Sequence, residues 1–225
     1  MLATMLAMSV LRSSVTRMPE DVSRETPPSE AAGVFSSRLP IAEAYVELLA
    51  TEGVTRGLIG PREIPRLWSR HVMNSAVVVP RVPQGASVAD VGTGAGLPGI
   101  VWAIARPDLT VTLIEPLLRR TSFLQEAVDA LGLDNCLVVR SRAEDVHDSF
   151  DVVTARAVAN LDRLGRWCMP LVSKPGGVLL ALKGRTAAEE VQAATATLHR
   201  LGATTIVVAT YPNGEVPTTV VEVST

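Results

Sequence analysis

Asp90-Val91-Gly92-Thr93-Gly94-Ala95-Gly96-Leu97-Pro98-Gly99 joins a short β-branched run, 88–91, to an apolar stretch of helical character, 98–105. Glycines at 92, 94 and 96 let the backbone turn tightly and let a ligand reach the main chain with no Cβ in the way. Pro98 stands at or near the first helical turn, where the donor it lacks has no intrahelical partner to lose. A glycine turn from strand into helix lies at the carboxyl edge of a doubly wound sheet, where ligands bind near the topological switch point.

Downstream of this turn, strand-like runs alternate with helical stretches. Strands are predicted at 109–114, 137–140, 152–154 and 177–182, with helices at 117–131, 161–169 and 187–201. That alternation predicts an α/β fold with a doubly wound, mostly parallel sheet covered on both faces. Two last strands, 205–209 and 219–223, flank the turn Pro212-Asn213-Gly214 with no helix between them, so they are expected to pair antiparallel. Upstream, Ile41, Ala44, Tyr45, Leu48 and Leu49 recur at helical spacing until Gly53. A second helix is predicted over 61–79, with Pro65 moving its true start a few residues on. Residues 1–36 mix Ser, Pro, Glu and Arg without periodicity and read as a disordered extension. The expected organisation is therefore 1–36 extension, 37–80 helical segment packed on the core, and 81–225 catalytic domain.

With 225 residues and 47% hydrophobic content, the chain can bury one substantial core. Its apolar runs stop far short of the roughly 20 residues that cross a bilayer, so no membrane partner is expected. Residues 1–11 are apolar, but no basic residue precedes them and no secretory cleavage region follows. Cys136 and Cys168 form neither a disulfide framework nor a metal-ligand spacing, which suits a reducing cytoplasm and predicts no metal. The net charge of −2 conceals segregation: 4 basic against 7 acidic side chains over 1–55, 16 against 12 over 56–185, and 1 against 4 over 186–225. The middle permits a local anion-binding face.

A dinucleotide fingerprint requires glycine three positions after Gly94, where Leu97 stands. Glu115 ends the second strand, where a carboxylate can accept hydrogen bonds from both ribose hydroxyls. Because nicotinamide and S-adenosylmethionine sites both use such an acid, Glu115 marks a ribose without naming its owner. A nicotinamide-dependent oxidoreductase therefore stays open as an alternative, as does a catalytically silent cofactor-binding module associated with the ribosome.

Arg70, His71, Asn74 and Ser75, the run 90–99, Ser141 to Glu144, Arg156 with Ala157, and Leu182-Lys183-Gly184 together resemble the bacterial 16S ribosomal RNA (guanine-N7) methyltransferase family, also called the glucose-inhibited division protein B family. The resemblance spans about 40–223, and Gly92 to Gly99 is its most specific part. It implies a class I S-adenosylmethionine-dependent methyltransferase fold and transfer to N7 of a guanosine in a conserved loop of 16S rRNA. Its partner would be that rRNA or a small-subunit particle. Carried over by position, Gly92, Leu97, Ala143, Glu144 and Arg156 would contact the cofactor, beside Asp90, Gly94, Gly96 and Glu115. Asn74 departs from the aspartate common in the family, which puts any role needing a negative charge there in doubt.

Guanine N7 has an in-plane lone pair and no proton, so such a transfer requires no base and can rest on placement of two bound reactants. The chain accordingly offers no Cys-His pair and no carboxylate dyad; Arg156 and Lys183 are candidates for positioning. Arg62, Arg66 and Arg70 recur every fourth residue and would form one helical stripe with His71 beside it, suited to phosphates; a solvated basic face is the competing reading. Lys183 and Arg185, with Arg163 and Arg166, follow strands that border the expected cleft, and Lys183 is the foremost candidate for RNA. Trp68, Trp102 and Trp167 could stack on bases, although core packing is the commoner role for tryptophan. No repeat or heptad argues against a monomer.

Overall fold

The computed structural model describes residues 25–214 and 216–225. Residues 1–24 of the expected extension lie outside the described residues, and its end corrects that expectation. Ser29–Phe35 is a helix, α1, with Ala31 and Phe35 buried. These two side chains stand four positions apart on one helical face, and Phe35 meets the Trp68 ring edge-on at 6.3 Å. The order comes from a tertiary partner that local periodicity does not register.

Helix α2, Leu39–Leu48, runs into a π-helical turn, Leu49–Gly53. The regular α-helix expected over 61–79 is not formed. Pro61–Arg66 is a 3-10 helix, Leu67–Met73 is π-helical, and only Asn74–Ala76 closes an α-turn. Pro65 lies inside the 3-10 stretch, where its ring and missing N–H oppose an α-helical ladder.

Seven strands build one sheet: β1 Ser87–Val91, β2 Thr110–Ile114, β3 Cys136–Val139, β4 Val152–Arg156, β5 Val178–Lys183, β6 Thr205–Tyr211 and β7 Thr218–Ser224. Their spatial order is β3-β2-β1-β4-β5-β7-β6. The first five run parallel, while β7 is antiparallel to both β5 and β6. Helices α3 Gly99–Ala105, α4 Leu118–Leu131, α5 Leu161–Cys168 and α6 Ala187–Arg200 complete the wound layers.

Side chains of period two divide the core. Val88 of β1, Val111 and Leu113 of β2 and Leu180 of β5 join one buried cluster with Tyr45, Trp68 and Trp102. Ala89, Val91, Ile114 and Leu179 point into a second cluster with Leu164 and Leu198 of α5 and α6. Trp102 Nε1 donates to the Ser75 carbonyl at 2.9 Å, locking the 61–76 segment to α3. Among the described residues, no helix is long and apolar enough to cross a membrane.

Candidate functional site

Register places the site. Val91 pairs with Ile114 and Ile114 with Val139, so the carboxyl ends of β1, β2 and β3 finish side by side. The glycine turn leaves β1 there, and Gly92 N donates to the Ile114 carbonyl at 2.8 Å. Gly92, Gly94 and Gly96 all have positive φ, 66°, 63° and 100°, which a side chain would strain. A Cβ on Gly94 would meet only the Gly92 carbonyl at 3.9 Å, so that glycine borders open space. At Gly96 a Cβ would come within 2.4 Å of Ile100, a packing requirement instead.

Glu115, one residue past β2, is buried and faces this turn. Its Oε2 accepts from Gly94 N at 3.2 Å and from Arg120 at 3.3 Å, and its Oε1 from Leu117 N at 3.1 Å. A carboxylate has about four acceptor sites, so Oε1 retains one for a further donor. The predicted acid and the predicted turn are thus brought together.

Asp90 belongs to the scaffold of the turn. Its Oδ2 accepts from Thr93 Oγ1 at 2.6 Å and from Gly99 N at 2.8 Å, while buried Oδ1 has no partner among the described residues. Burial pushes its carboxyl up to about 6, against the opposing pull of those two hydrogen bonds and of Arg156. Leu97 is buried within the turn. Ala143 and Glu144 open a 3-10 turn, Ala143–Asp145, beyond β3; Ala143 is buried and Glu144 exposed.

Arg156, the last residue of β4, turns toward the 61–76 segment. Its guanidinium donates to the His71 carbonyl at 3.2 Å, to Ser75 Oγ at 3.3 Å and to His71 Nδ1 at 2.6 Å. Arginine cannot accept, so Nδ1 is the acceptor, and Nε2 carries the proton donated to Glu63 Oε2 at 2.8 Å. Burial and the Arg156 charge hold the His71 pKa below its ordinary value, favouring that neutral imidazole. Burial raises the Glu63 carboxyl, but the His71 hydrogen bond and the charges of Arg70 and Arg66 outweigh it and leave it low. Burial also pushes the Cys136 thiol up to about 12 and the Cys168 thiol up as well, which keeps both protonated and unreactive.

A family model described as "rRNA small subunit methyltransferase G" (GidB) matches residues 38–215. The chain belongs to the GidB family. A relative named ribosomal RNA small subunit methyltransferase G from Nocardioides sp. is 61% identical over 193 residues, covering 84% of this chain and 77% of that protein. One of the same name from Salinispora tropica is 53% identical over 221 residues, 92% of this chain and 91% of that protein. Among solved structures, a predicted O-methyltransferase from Agrobacterium tumefaciens superposes with a TM-score of 0.55 at 18% identity, over 68% of this chain and 80% of that one. That likeness shows the fold, the class I methyltransferase sheet. Membership in the GidB family retires the nicotinamide-dependent oxidoreductase.

Several cations expected to face RNA have other partners in this GidB chain. Lys183 Nζ donates to the Ala159 carbonyl at 2.6 Å and to Glu190 Oε2 at 2.8 Å, and its side chain is 8% exposed. This corrects its place as the foremost RNA candidate: β5 ends beside α6, whose acid takes the ammonium. Arg66 and Arg70 both pair with Glu63, at 2.8 and 3.5 Å, so the expected stripe is partly neutralised. Arg62 and Arg185 are exposed and unpaired among the described residues. Trp68 and Trp102 are buried, and half-buried Trp167 lies under Arg163 at 4.6 Å.

Tyr45 is the site residue that sequence reasoning missed. Its buried hydroxyl donates to the Ala95 carbonyl at 2.9 Å, inside the glycine turn. A tyrosine on the core face of a helix otherwise reads as packing, and its polar tip was the available signal.

Proposed function

We propose that this chain transfers the methyl group of S-adenosylmethionine to N7 of a guanosine in a conserved loop of 16S rRNA, acting in the cytoplasm as a monomer on the rRNA or the small-subunit particle. One observation carries the proposal: Gly94, the glycine that borders open space, hydrogen-bonds the strand-end acid Glu115. A backbone without Cβ beside a buried carboxylate with a spare acceptor fits an adenosyl group, its ribose on Glu115 and its adenine toward Ala143 and Glu144.

The bound cofactor supplies an electrophilic methyl on a sulfonium. The chain's own residues bind and orient. Asp90 holds the turn through Thr93 and Gly99, Leu97 and Gly92 shape its wall, and Gly96 packs it on Ile100. Arg156 fixes the 61–76 segment over the carboxyl end of β4, so it acts by positioning. Neutral His71 has no proton to accept from N7, which carries none, in keeping with catalysis by placement. Arg62 and Arg185 are the cations of the predicted set that remain available to phosphates.

Labelled S-adenosylmethionine and small-subunit particles lacking the mark test the proposal. Incorporation that digests to 7-methylguanosine is the expected result, lost in Glu115→Ala. Cofactor binding without incorporation into any rRNA substrate would instead identify a silent module.

A further inference from the structure

With Lys183 paired to Glu190, and Arg66 and Arg70 drawn to Glu63, Arg62 and Arg185 alone of the six predicted RNA-binding candidates keep no partner among the described residues, and a further set of unpaired cations lies past β2 and β3. Arg119, Arg140 and Arg142 are exposed, and none of their guanidiniums has a hydrogen bond, ion pair or ring contact among the described residues. Topology brings them together. Arg140 directly follows Val139, which pairs with Ile114 and accepts from Glu115 N at 3.1 Å. Arg142 lies two residues on, and Arg119 is in the first turn of α4, four residues past Glu115.

The placement of Arg119 runs against local stability. The first turn of α4 holds Arg119 and Arg120 with no acid, at the end where the helix macrodipole disfavours cations. Arg120 is compensated by Glu115, whereas Arg119 is compensated by no acid among the described residues. Exposed Leu117 and Leu118, 51% and 58% exposed, stand directly before it. Glu144 and Asp145 are the nearby acids, on the turn beyond Arg142, and neither pairs with these arginines. Solvated guanidiniums with no partner among the described residues to give up, bordering apolar side chains, suit RNA with splayed bases, whose phosphates take the cations and whose bases take the leucines.

We infer that Arg119, Arg140 and Arg142 form an RNA-binding face on the β2–β3 side of the cofactor site, gripping phosphates that flank the target loop. The inference rests on the proposed rRNA methylation. RNA would then bridge the mouth of the site, held here and at Arg62 on the opposite side of the glycine turn.

The test is the double variant Arg119→Ala, Arg140→Ala in the full chain, leaving Arg142 beside Ala143 intact. The probe is naked small-subunit RNA carrying the target loop, titrated at several salt concentrations. Loss of two phosphate contacts lowers the slope of log affinity against log salt by about 1.4. KM for RNA rises at least tenfold, S-adenosylmethionine affinity is unchanged, and the Arg→Lys pair restores most of the slope. Arg200→Ala, at the far end of α6, serves as the control. An unchanged slope overturns the inference, as does equal weakening of cofactor binding. A defect seen with intact particles and absent with naked RNA would assign the face to a ribosomal protein, which also overturns it. If the unsubstituted chain methylates no rRNA, the proposed function has failed, and that outcome is distinct from all of these.

Discussion

The Tyr45 hydroxyl donates to the Ala95 carbonyl at 2.9 Å, so a helix outside the sheet holds the middle of the glycine turn. Residues 50 positions apart thereby share one function: α2 sets the geometry that the turn presents. Tyr45→Phe keeps the packing and deletes the donor, leaving a buried carbonyl unpaired at a cost of about 1 to 2 kcal/mol. Calorimetric titration should show S-adenosylmethionine binding weakened several-fold together with a lower Tm. An unchanged affinity would mean that the turn is held without this bond.

Two glycines of the turn should separate binding from stability. At Gly94 a methyl has room within the protein but φ is +63°, so Gly94→Ala is expected to cost about 1 kcal/mol of stability while blocking the cofactor's approach. At Gly96, with φ +100°, the same methyl meets Ile100 at 2.4 Å and Tyr45 Oη at 3.0 Å, and overpacking should cost about 3 kcal/mol. Denaturant unfolding beside equilibrium cofactor binding distinguishes the two.

Asp90 should impose a pH dependence opposite to that of a paired carboxylate. Its folded value, raised to about 6, lies above the ordinary 3.8, so the folded state holds the proton more tightly. Its contribution is present below pH 4 and lost as pH rises to 6, by about 3 kcal/mol. Relative to the native chain, Asp90→Asn should therefore gain stability as pH rises from 4 to 7. A Tm difference flat over that window would contradict the assignment.

The histidine link runs the other way. His71 is held below its ordinary pKa of 6.5, chiefly by burial, so its contribution is present above pH 6.5 and lost as pH falls toward the lowered value. Charging Nδ1 replaces the acceptor that Arg156 uses with a second donor. His71→Ala should cost about 2 kcal/mol and remove this acid-side loss, as followed by thermal unfolding at pH 5 and 7.5.

Lys183 is expected to act on stability. Lys183→Met removes the buried ammonium from Glu190 and the Ala159 carbonyl and should lower stability by about 2 kcal/mol, leaving the salt dependence of RNA binding unchanged. Filter binding at graded salt checks it; a reduced slope would return Lys183 to the RNA face.

Local chain chemistry alone was enough to place the core of this molecule. Gly92, Gly94 and Gly96 after one β-branched run, Glu115 after the next, and a helical period between them determine a glycine turn that meets an acid at the carboxyl edge of the sheet, because glycine conformation and side-chain period act over a few residues. The antiparallel end of the sheet was legible in the same way, from a turn with no helix around it. Only tertiary structure decided what the polar side chains do. Lys183 found Glu190 because β5 and α6 pack together, Arg156 found His71 across 85 positions, and α1 formed because Phe35 reached Trp68. A charged side chain can satisfy itself with whichever partner the packed layers bring near, and long-range docking, which leaves no period in the sequence, selects that partner.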